Sequence, residues 1–587
     1  MKLKNLDKWT DTKKLESLLF FSQRIDELAF QYTLDSYKPP CLNPVYLIEE
    51  ALSIVEEIEN DVIDPASLKP IIDELEWAIQ KDIASKELVE LSIRDYLPNI
   101  ENSKLKDIRV KLQLLQKRLE PMAYLIKCMD MLEAAVDNSE KINIDALLQK
   151  LMSTLVNMGV NKKHIHETVN KVFFEQEDVE IDSNDYIKSF YEVIIPKTET
   201  YNVCFSVSKL AKFLSDVSGI FKLEIVDKPE DFSALFGDDV NFPCGESDIH
   251  VIARGVKAYD KHSAILKAED NLEKVTNLYS LFHHKQRIGW KKKVVIAKHK
   301  TDDSEVVDIQ NNPIENGFDL RPNKAARELN GVLKNFEMSS TASFFKFDSV
   351  VDLHGLAARS DTRESQLLNI WISLETLTPP SSSTSKIKNI TSSITPFMAL
   401  NYTTRFIQRI NGDLLNWDRA AYKDILRKIE AEDGQGAYYK VAKFIMLNEH
   451  EELRKDIYSH LDDFPLLRYR IFNLNKTFSK PENVISLIEE HRKKIEWQIR
   501  RLYRTRNLIV HSGKSPDYIG TLVENGHDYL DQIMNEVMIM CSHTKEASTL
   551  EQAYKLVDMK SNEYVKTLSS VDCFNDSNYL TAFREWS

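Results

Sequence analysis

Apolar residues recur at every third or fourth position through most of this 587-residue chain, and glycine occurs only 15 times. A chain with that spacing and so few permissive backbone positions folds mainly as helices. Residues 1 to about 195 read as successive amphipathic helices, among them "PVYLIEEALSIVEEIEN", "DPASLKPIIDELEWAIQK" and "NIDALLQKLMSTLVNMGV". Asp64-Pro65 and Asn143 stand where capping side chains open helices. No repeat of fixed period appears, which excludes a solenoid. The length exceeds what one core supports and predicts about two to four domains.

The helical spacing breaks at about 198. "YNVCFSVS" and "FKLEIVDK" are β-rich runs around the helical "KLAKFLSDV". "DIHVIARGV" then precedes a long helix at about 260–284, and "KKKVVIAK" and "SEVVDIQ" follow. The order β-α-β, β-α-β predicts a small central α/β domain over 198–345, a split-βαβ sandwich being one form. Such a fold carries no function by itself. Helices resume at about 361 with "DTRESQLLNIWISLETL", pause at the loop "TPPSSSTS", and continue to about 557. Residues 558–587 read as a polar tail. The expected fold class is mainly α: a helical region, a small α/β domain and a C-terminal helical bundle.

Composition narrows the functional classes. The hydrophobic fraction of 43% and charged fraction of 29% fit a soluble globular protein. The N-terminus lacks a secretory pattern, and no 18-residue apolar run occurs, so a cytoplasmic protein with no membrane partner is expected. Six scattered cysteines without a CxxC pair argue against a disulfide framework or a cysteine-rich zinc site. Net charge is −14, which disfavours indiscriminate coating of nucleic acid. Yet eight Lys/Arg face the single acid Glu496 between His491 and Lys514, so this stretch is +7 and the remainder −21.

Four weaker motifs are set aside. "HSGKS" contains GKS, but Leu508 stands where a phosphate loop needs glycine. "KKHIHE" puts His164 and His166 two residues apart, facing different ways on a helix, so a solvated surface is favoured over zinc. "HHKQRIGWKKK" reads as an exposed turn into a strand rather than an RNA contact. Asp238-Asp239 near Glu246 resembles a divalent-ion site only in composition. No metal or cofactor is implied.

The basic stretch "RLYRTRNLIVHSGK" is different. At about 100° per residue from Ile499, the side chains of Ile488, Ile495, Leu502, Tyr503, Ile509 and Val510 form one stripe, and Arg506 lies about 20° from its centre. Lys493, Arg500, Arg504, Asn507 and His511 form a second, basic line. Taken alone, Arg506 reads as a snorkelling or ion-paired core arginine, and His511 as a cation complementing the helix C-terminus before Gly513.

"RNLIVH" (Arg506, Asn507, His511) resembles the Arg-Asn-x-x-x-His signature of HEPN-domain ribonucleases. "LLNIWISLETL" at 367–377 is similar to the first long helix of the ApeA-like branch, and "RYR" at 468–470 and "WQIRRLYRTRN" at 497–507 add to the resemblance. It covers roughly 361–550. Nothing comparable stands in 1–345, where the β-rich N-terminal domain of ApeA itself is missing.

The resemblance implies a HEPN-like nuclease domain over 361–557, a metal-independent endoribonuclease working as a homodimer or higher oligomer. It also implies an anti-phage, abortive-infection role, toxin-like, with a phage-derived trigger or regulatory protein as partner. Residues 1–195 would act as sensor or restraint. RNA carries its own nucleophile, the 2′-hydroxyl, and attack on the adjacent phosphate gives a 2′,3′-cyclic phosphate and a 5′-hydroxyl. Histidine is the side chain suited to proton transfer near neutrality, which suits His511. The Arg506 guanidinium can hold phosphate oxygens in a fork. Asn507 is assigned to orient His511 or contact phosphate, Glu375 to anchor the site, and Arg500 and Arg504 to guide the RNA backbone. On a straight helix Arg506 and His511 lie about 140° apart, so a bent helix end or two helices paired about a two-fold must gather them. The competing expectation is a catalytically silent HEPN module, a dimerisation or RNA-binding scaffold with Arg506 structural.

Overall fold

The computed structural model describes residues 3–583 except 31–40, 62, 98–99, 101–102, 176–178, 228–231, 238–244, 246–247, 300–303, 310–311, 317–318, 381–384 and 431–435. Asp238, Asp239 and Glu246 lie outside the described residues. Among those described, the chain is mainly helical with one five-stranded sheet. No described helix is long and apolar enough to cross a membrane.

The sheet contains β1 (Glu199–Ser208), β2 (Leu223–Val226), β3 (Asp248–Ala258), β4 (Trp290–Lys298) and β5 (Ser304–Asp308), each overlapping a run that the sequence marks as a strand. Its order is β2-β3-β1-β4-β5, with every neighbouring pair antiparallel. β1 and β2 therefore run parallel on either side of β3, and β3 and β4 run parallel on either side of β1. Both connections carry helical turns, so the domain is a double split-βαβ with β5 added as an edge. The helix Lys261–Ser280 buries Ala264, Ile265, Ala268 and Leu272 against Val203, Phe205 and Val294. Phe236 covers Cys204 and Val295 on the opposite face.

Three boundaries differ from the sequence reading. The sheet domain has its own core, whereas the N-terminal and C-terminal helices share one continuous core, so 1–195 is not a separate body. Phe20 packs edge-on against Tyr469 at 4.9 Å, and Arg470 is buried beside Asp413 and Glu27. The α/β domain also stops well before 345. The helices Pro322–Leu333 and Thr341–Arg359 pack on Ile519–Ser542 and Arg363–Leu377 respectively. Finally, the segment after 558 is no loose tail. The helix Leu550–Ser569 runs into it, Phe583 stacks on Phe478 at 5.7 Å, and Tyr564 donates to the Ala582 carbonyl at 2.6 Å. Widely spaced aromatics hold this piece down, a pattern too sparse to show helical periodicity.

Capping is partly as expected. Asp64 accepts the Ala66 amide at 2.7 Å but caps only a single 3₁₀ turn, Pro65–Ser67. Asn143 does not open its helix, which begins at Lys141; its amide donates to Glu140 at 2.6 Å instead.

Candidate functional site

The motif occupies the end of a 32-residue helix, Pro481–Ser512. Proline stands in the first turn, and Gly513 ends the helix in the left-handed region at φ +66, its amide bonding the Ile509 carbonyl at 3.0 Å. The tripeptide GKS thus falls on a helix cap and not on a phosphate loop.

One face of the motif helix buries Val484, Ile488, Ile495, Ile499 and Leu502 against the C-terminal helices, as the periodicity requires. Tyr503 meets Trp371 at 5.4 Å between ring centroids, and the Trp371 indole donates to Glu375 at 2.9 Å. Glu375 also pairs with Lys386. It therefore fixes the aromatic support of the motif helix rather than contacting Arg506 or His511. The helix Ile519–Ser542 comes close at Gly526, where a Cβ would lie 3.1 Å from Ile370 and 3.3 Å from Leu502. A side chain there would press on Ile370 and Leu502, each of which must give by a few tenths of an ångström. The stripe fades toward its end, and Val510 is 51% exposed.

The opposite face is buried too, which the sequence reading missed. Arg501, about 200° from Ile499, is 0% exposed. Its Nη2 donates to Glu50 at 2.8 Å and to Glu74 at 2.6 Å, and its Nε reaches both Glu50 oxygens at 3.1 Å. Arg504 donates to Glu50 at 2.7 Å. Glu50 and Glu74 come from the helices Pro44–Glu59 and Lys69–Lys81. Burial alone would raise the Glu50 carboxyl, but two guanidiniums overcome it and hold it down to about 2. Burial pushes Glu74 up and the Glu50 charge adds to it, against the hydrogen-bonded Arg501 and a weaker pull from Arg504. Trp77 extends this contact, lying 5.4 Å from Trp497.

The assigned residues therefore separate. Arg504 is buried in an ion pair with Glu50, so in this conformation it presents no surface to an RNA backbone. Arg500 remains partly exposed. Arg506 is half-buried and donates from Nη1 to Asn507 Oδ1 at 3.0 Å. It is neither a core brace nor paired with a carboxylate among the described residues. His511 is exposed in the last turn. The helix continues to Ser512, whose hydroxyl bonds the Leu508 carbonyl at 2.7 Å, so no break brings Arg506 and His511 together within one chain. On the side of the helix that carries Arg504 and Leu508, turned away from Arg506, lies a cavity of about 250 Å³ lined also by Tyr46, Glu49, Glu50, Glu57 and Asp517. Its carboxylates outnumber its cations.

The signal for the hidden pairing was present in the sequence. Glu50 shares a helical face with Leu47, Ala51 and Ile54, and Glu74 sits among Ile71, Leu75 and Ala78, all buried. A carboxylate on an apolar stripe calls for a buried cation.

The minor motifs resolve locally. His166 pairs with Asp26 at 3.0 Å, while Glu167 accepts from His262 at 2.9 Å and pairs with Lys261. "KKHIHE" is thus a seam between helices rather than a solvated face, and its groups do point apart. Trp290 enters β4 after an exposed turn and donates to Glu269 at 3.0 Å.

No protein-family model matches the chain, and neither a curated protein nor a solved structure matches it.

Proposed function

We propose that this chain is a metal-independent endoribonuclease of the HEPN type, assembled as a homodimer and held in check by its N-terminal helices. The observation that carries the reading is selective. On the last three turns of the motif helix, Arg501 and Arg504 are consumed by Glu50 and Glu74, whereas Arg506 hydrogen-bonds only to Asn507 among the described residues and His511 stands in solvent. The residues that match the signature are among those left available for chemistry.

In this reading two motif helices pair about a two-fold. One His511 takes the proton of the RNA 2′-hydroxyl, whose oxygen forms a bond to the adjacent phosphorus. The bond from phosphorus to the 5′-oxygen breaks, and the His511 of a second copy protonates that oxygen. Arg506 from each copy holds the phosphate oxygens and stabilises the charge that builds on them. Asn507 fixes the Arg506 side chain, and Arg500 guides the RNA backbone.

The restraint is electrostatic. Glu49, Glu57 and Asp517 surround the cavity beside the motif, so RNA approaching that side meets negative charge. A trigger that moves the helix Pro44–Glu59 would remove it and expose Arg504. An anti-phage role fits an RNase kept silent until such a trigger arrives.

The test compares wild type, Arg506→Ala and His511→Ala under inducible expression, with and without phage, mapping RNA ends and measuring molar mass in solution. New 5′-hydroxyl ends lost in both variants, with dimer mass unchanged, support the nuclease. Protection retained in both variants with unchanged RNA makes this helix a scaffold.

A further inference from the structure

Away from the motif, two histidines and an aspartate from distant parts of the chain converge. His354 lies on the helix Thr341–Arg359, and His527 and Asp531 lie one turn apart on the helix Ile519–Ser542. Their i, i+4 spacing puts His527 and Asp531 on one face. Asp531 Oδ1 sits 2.9 Å from His354 Nε2, and Oδ2 sits 3.3 Å from His527 Nδ1. The two imidazole rings lie 4.9 Å apart at 30°. One ligand atom from each of the three residues falls within 4.8 Å of the other two.

The nitrogen that His527 turns toward Asp531 is Nδ1, while Nε2, across the ring, is buried without a hydrogen-bond partner among the described residues.

The dimensions fit a small ion. Tetrahedral zinc with bonds of about 2.0–2.1 Å places its ligand atoms roughly 3.3 Å apart. The observed distances, from 2.9 Å to within 4.8 Å, bracket that value. Two imidazoles and one carboxylate suit zinc and its transition-metal neighbours, while calcium and magnesium prefer sites built from oxygen. Asp531 is half exposed, which leaves a side open to water, and Asp319 carries its charge close to His527.

We propose that His354, His527 and Asp531 bind one divalent transition-metal ion of the zinc class, with water or Asp319 at the fourth position. The ion clamps the helix Thr341–Arg359 onto Ile519–Ser542. This site is independent of the nuclease reading, since it is separate from Arg506 and His511 and binding is measured without activity.

The test uses the full chain, stripped with a chelator and titrated with Zn²⁺ alone, then with Co²⁺ followed by visible absorption. One saturable equivalent, intense cobalt bands of four-coordinate type and a raised melting temperature are expected. His527→Ala and Asp531→Asn should lose that equivalent while keeping wild-type circular dichroism and elution volume. Absence of stoichiometric binding in the wild type overturns the proposal. So does an equivalent that survives in the His354→Ala/His527→Ala double variant. Should His527→Ala misfold, Asp531→Asn alone decides, since asparagine preserves the shape and removes the charged ligand.

Discussion

Replacing Arg501 by methionine keeps an aliphatic stem in place and removes the cation shared by Glu50 and Glu74. Arg501 makes four hydrogen bonds to those carboxylates, and all three residues are buried. Glu50 keeps Arg504 at 2.7 Å, but Glu74 loses the cation that holds it. Removing one partner of a buried pair costs about 3–5 kcal/mol. Because the Glu74 carboxyl is already pushed up by burial, it can take a proton, which favours the low end, about 3 kcal/mol. If the chain unfolds as one unit, about 2.1 cal/mol/K per residue gives a melting shift of only about 2–3 °C. Local opening is the sharper readout. At 1.36 kcal/mol per tenfold, amide exchange in the helices Pro44–Glu59 and Lys69–Lys81 should accelerate by about 10²-fold. The double variant Arg501→Met/Glu74→Gln removes the stranded charge and should recover at least about 1 kcal/mol. Arg506→Met, which disturbs only the bond to Asn507, should leave both helices protected. Exchange in Arg501→Met within about threefold of wild type would refute the claim that this ion cluster docks the N-terminal helices.

Other consequences are as direct. Glu273 on the helix Lys261–Ser280 is pushed from 4.5 up to about 7 by burial and by Glu269, Asp270 and Asp361. Its stabilising contribution is full below about 4.5 and is lost as pH rises through about 7, so Glu273→Gln should raise the melting temperature at pH 8 and flatten its pH dependence between pH 5 and 8. Glu50 acts oppositely: its contribution is present above 4.5 and lost as pH falls toward 2, so Glu50→Gln should blunt acid unfolding monitored by circular dichroism. Gly526→Ala gains helix propensity but places a Cβ 3.1 Å from Ile370, and a net loss of about 1 kcal/mol in denaturant unfolding is expected.

The regular parts of this fold were legible because local pattern decides them. All five strands fall where β-branched runs stand, and Ile488, Ile495, Ile499 and Leu502 are buried as their spacing predicts. Pattern failed where tertiary contact decides. Periodicity measured from Ile499 recognises one buried face, so Arg501 and Arg504 read as solvent-facing cations until a second layer of helices covers them. The His354, His527 and Asp531 cluster was invisible for a related reason. Its members are joined only by the packing of two helices far apart in sequence, and no spacing rule spans that distance. The tail was misread because Tyr564, Tyr579 and Phe583 are anchored by long-range contacts among polar neighbours.

The charge asymmetry has a structural consequence. Of the eight cations between His491 and Lys514, Arg501 and Arg504 are neutralised by Glu50 and Glu74, and Lys494 by Glu490. Glu50 and Glu74 belong to the N-terminal helices, so part of the chain's excess acid covers its own basic stretch. Buried pairs of this kind contribute little net stability against well-packed apolar residues, but they penalise every arrangement that leaves one member unpaired. They therefore specify where the N-terminal helices dock more than how tightly. A polyanion competing for Arg504 must displace Glu50, and Glu50 released from both arginines regains an ordinary carboxyl. Displacement should thus take up no proton near neutrality, because the Glu50 carboxylate is ionised in either state. RNA binding that exposes Arg504, measured in His511→Ala to remove the motif imidazole, should consequently weaken steeply with added salt while varying little between pH 6 and 8. A strong rise in affinity toward pH 6 would instead place a titrating group, and not the Glu50 pair, at the point of competition.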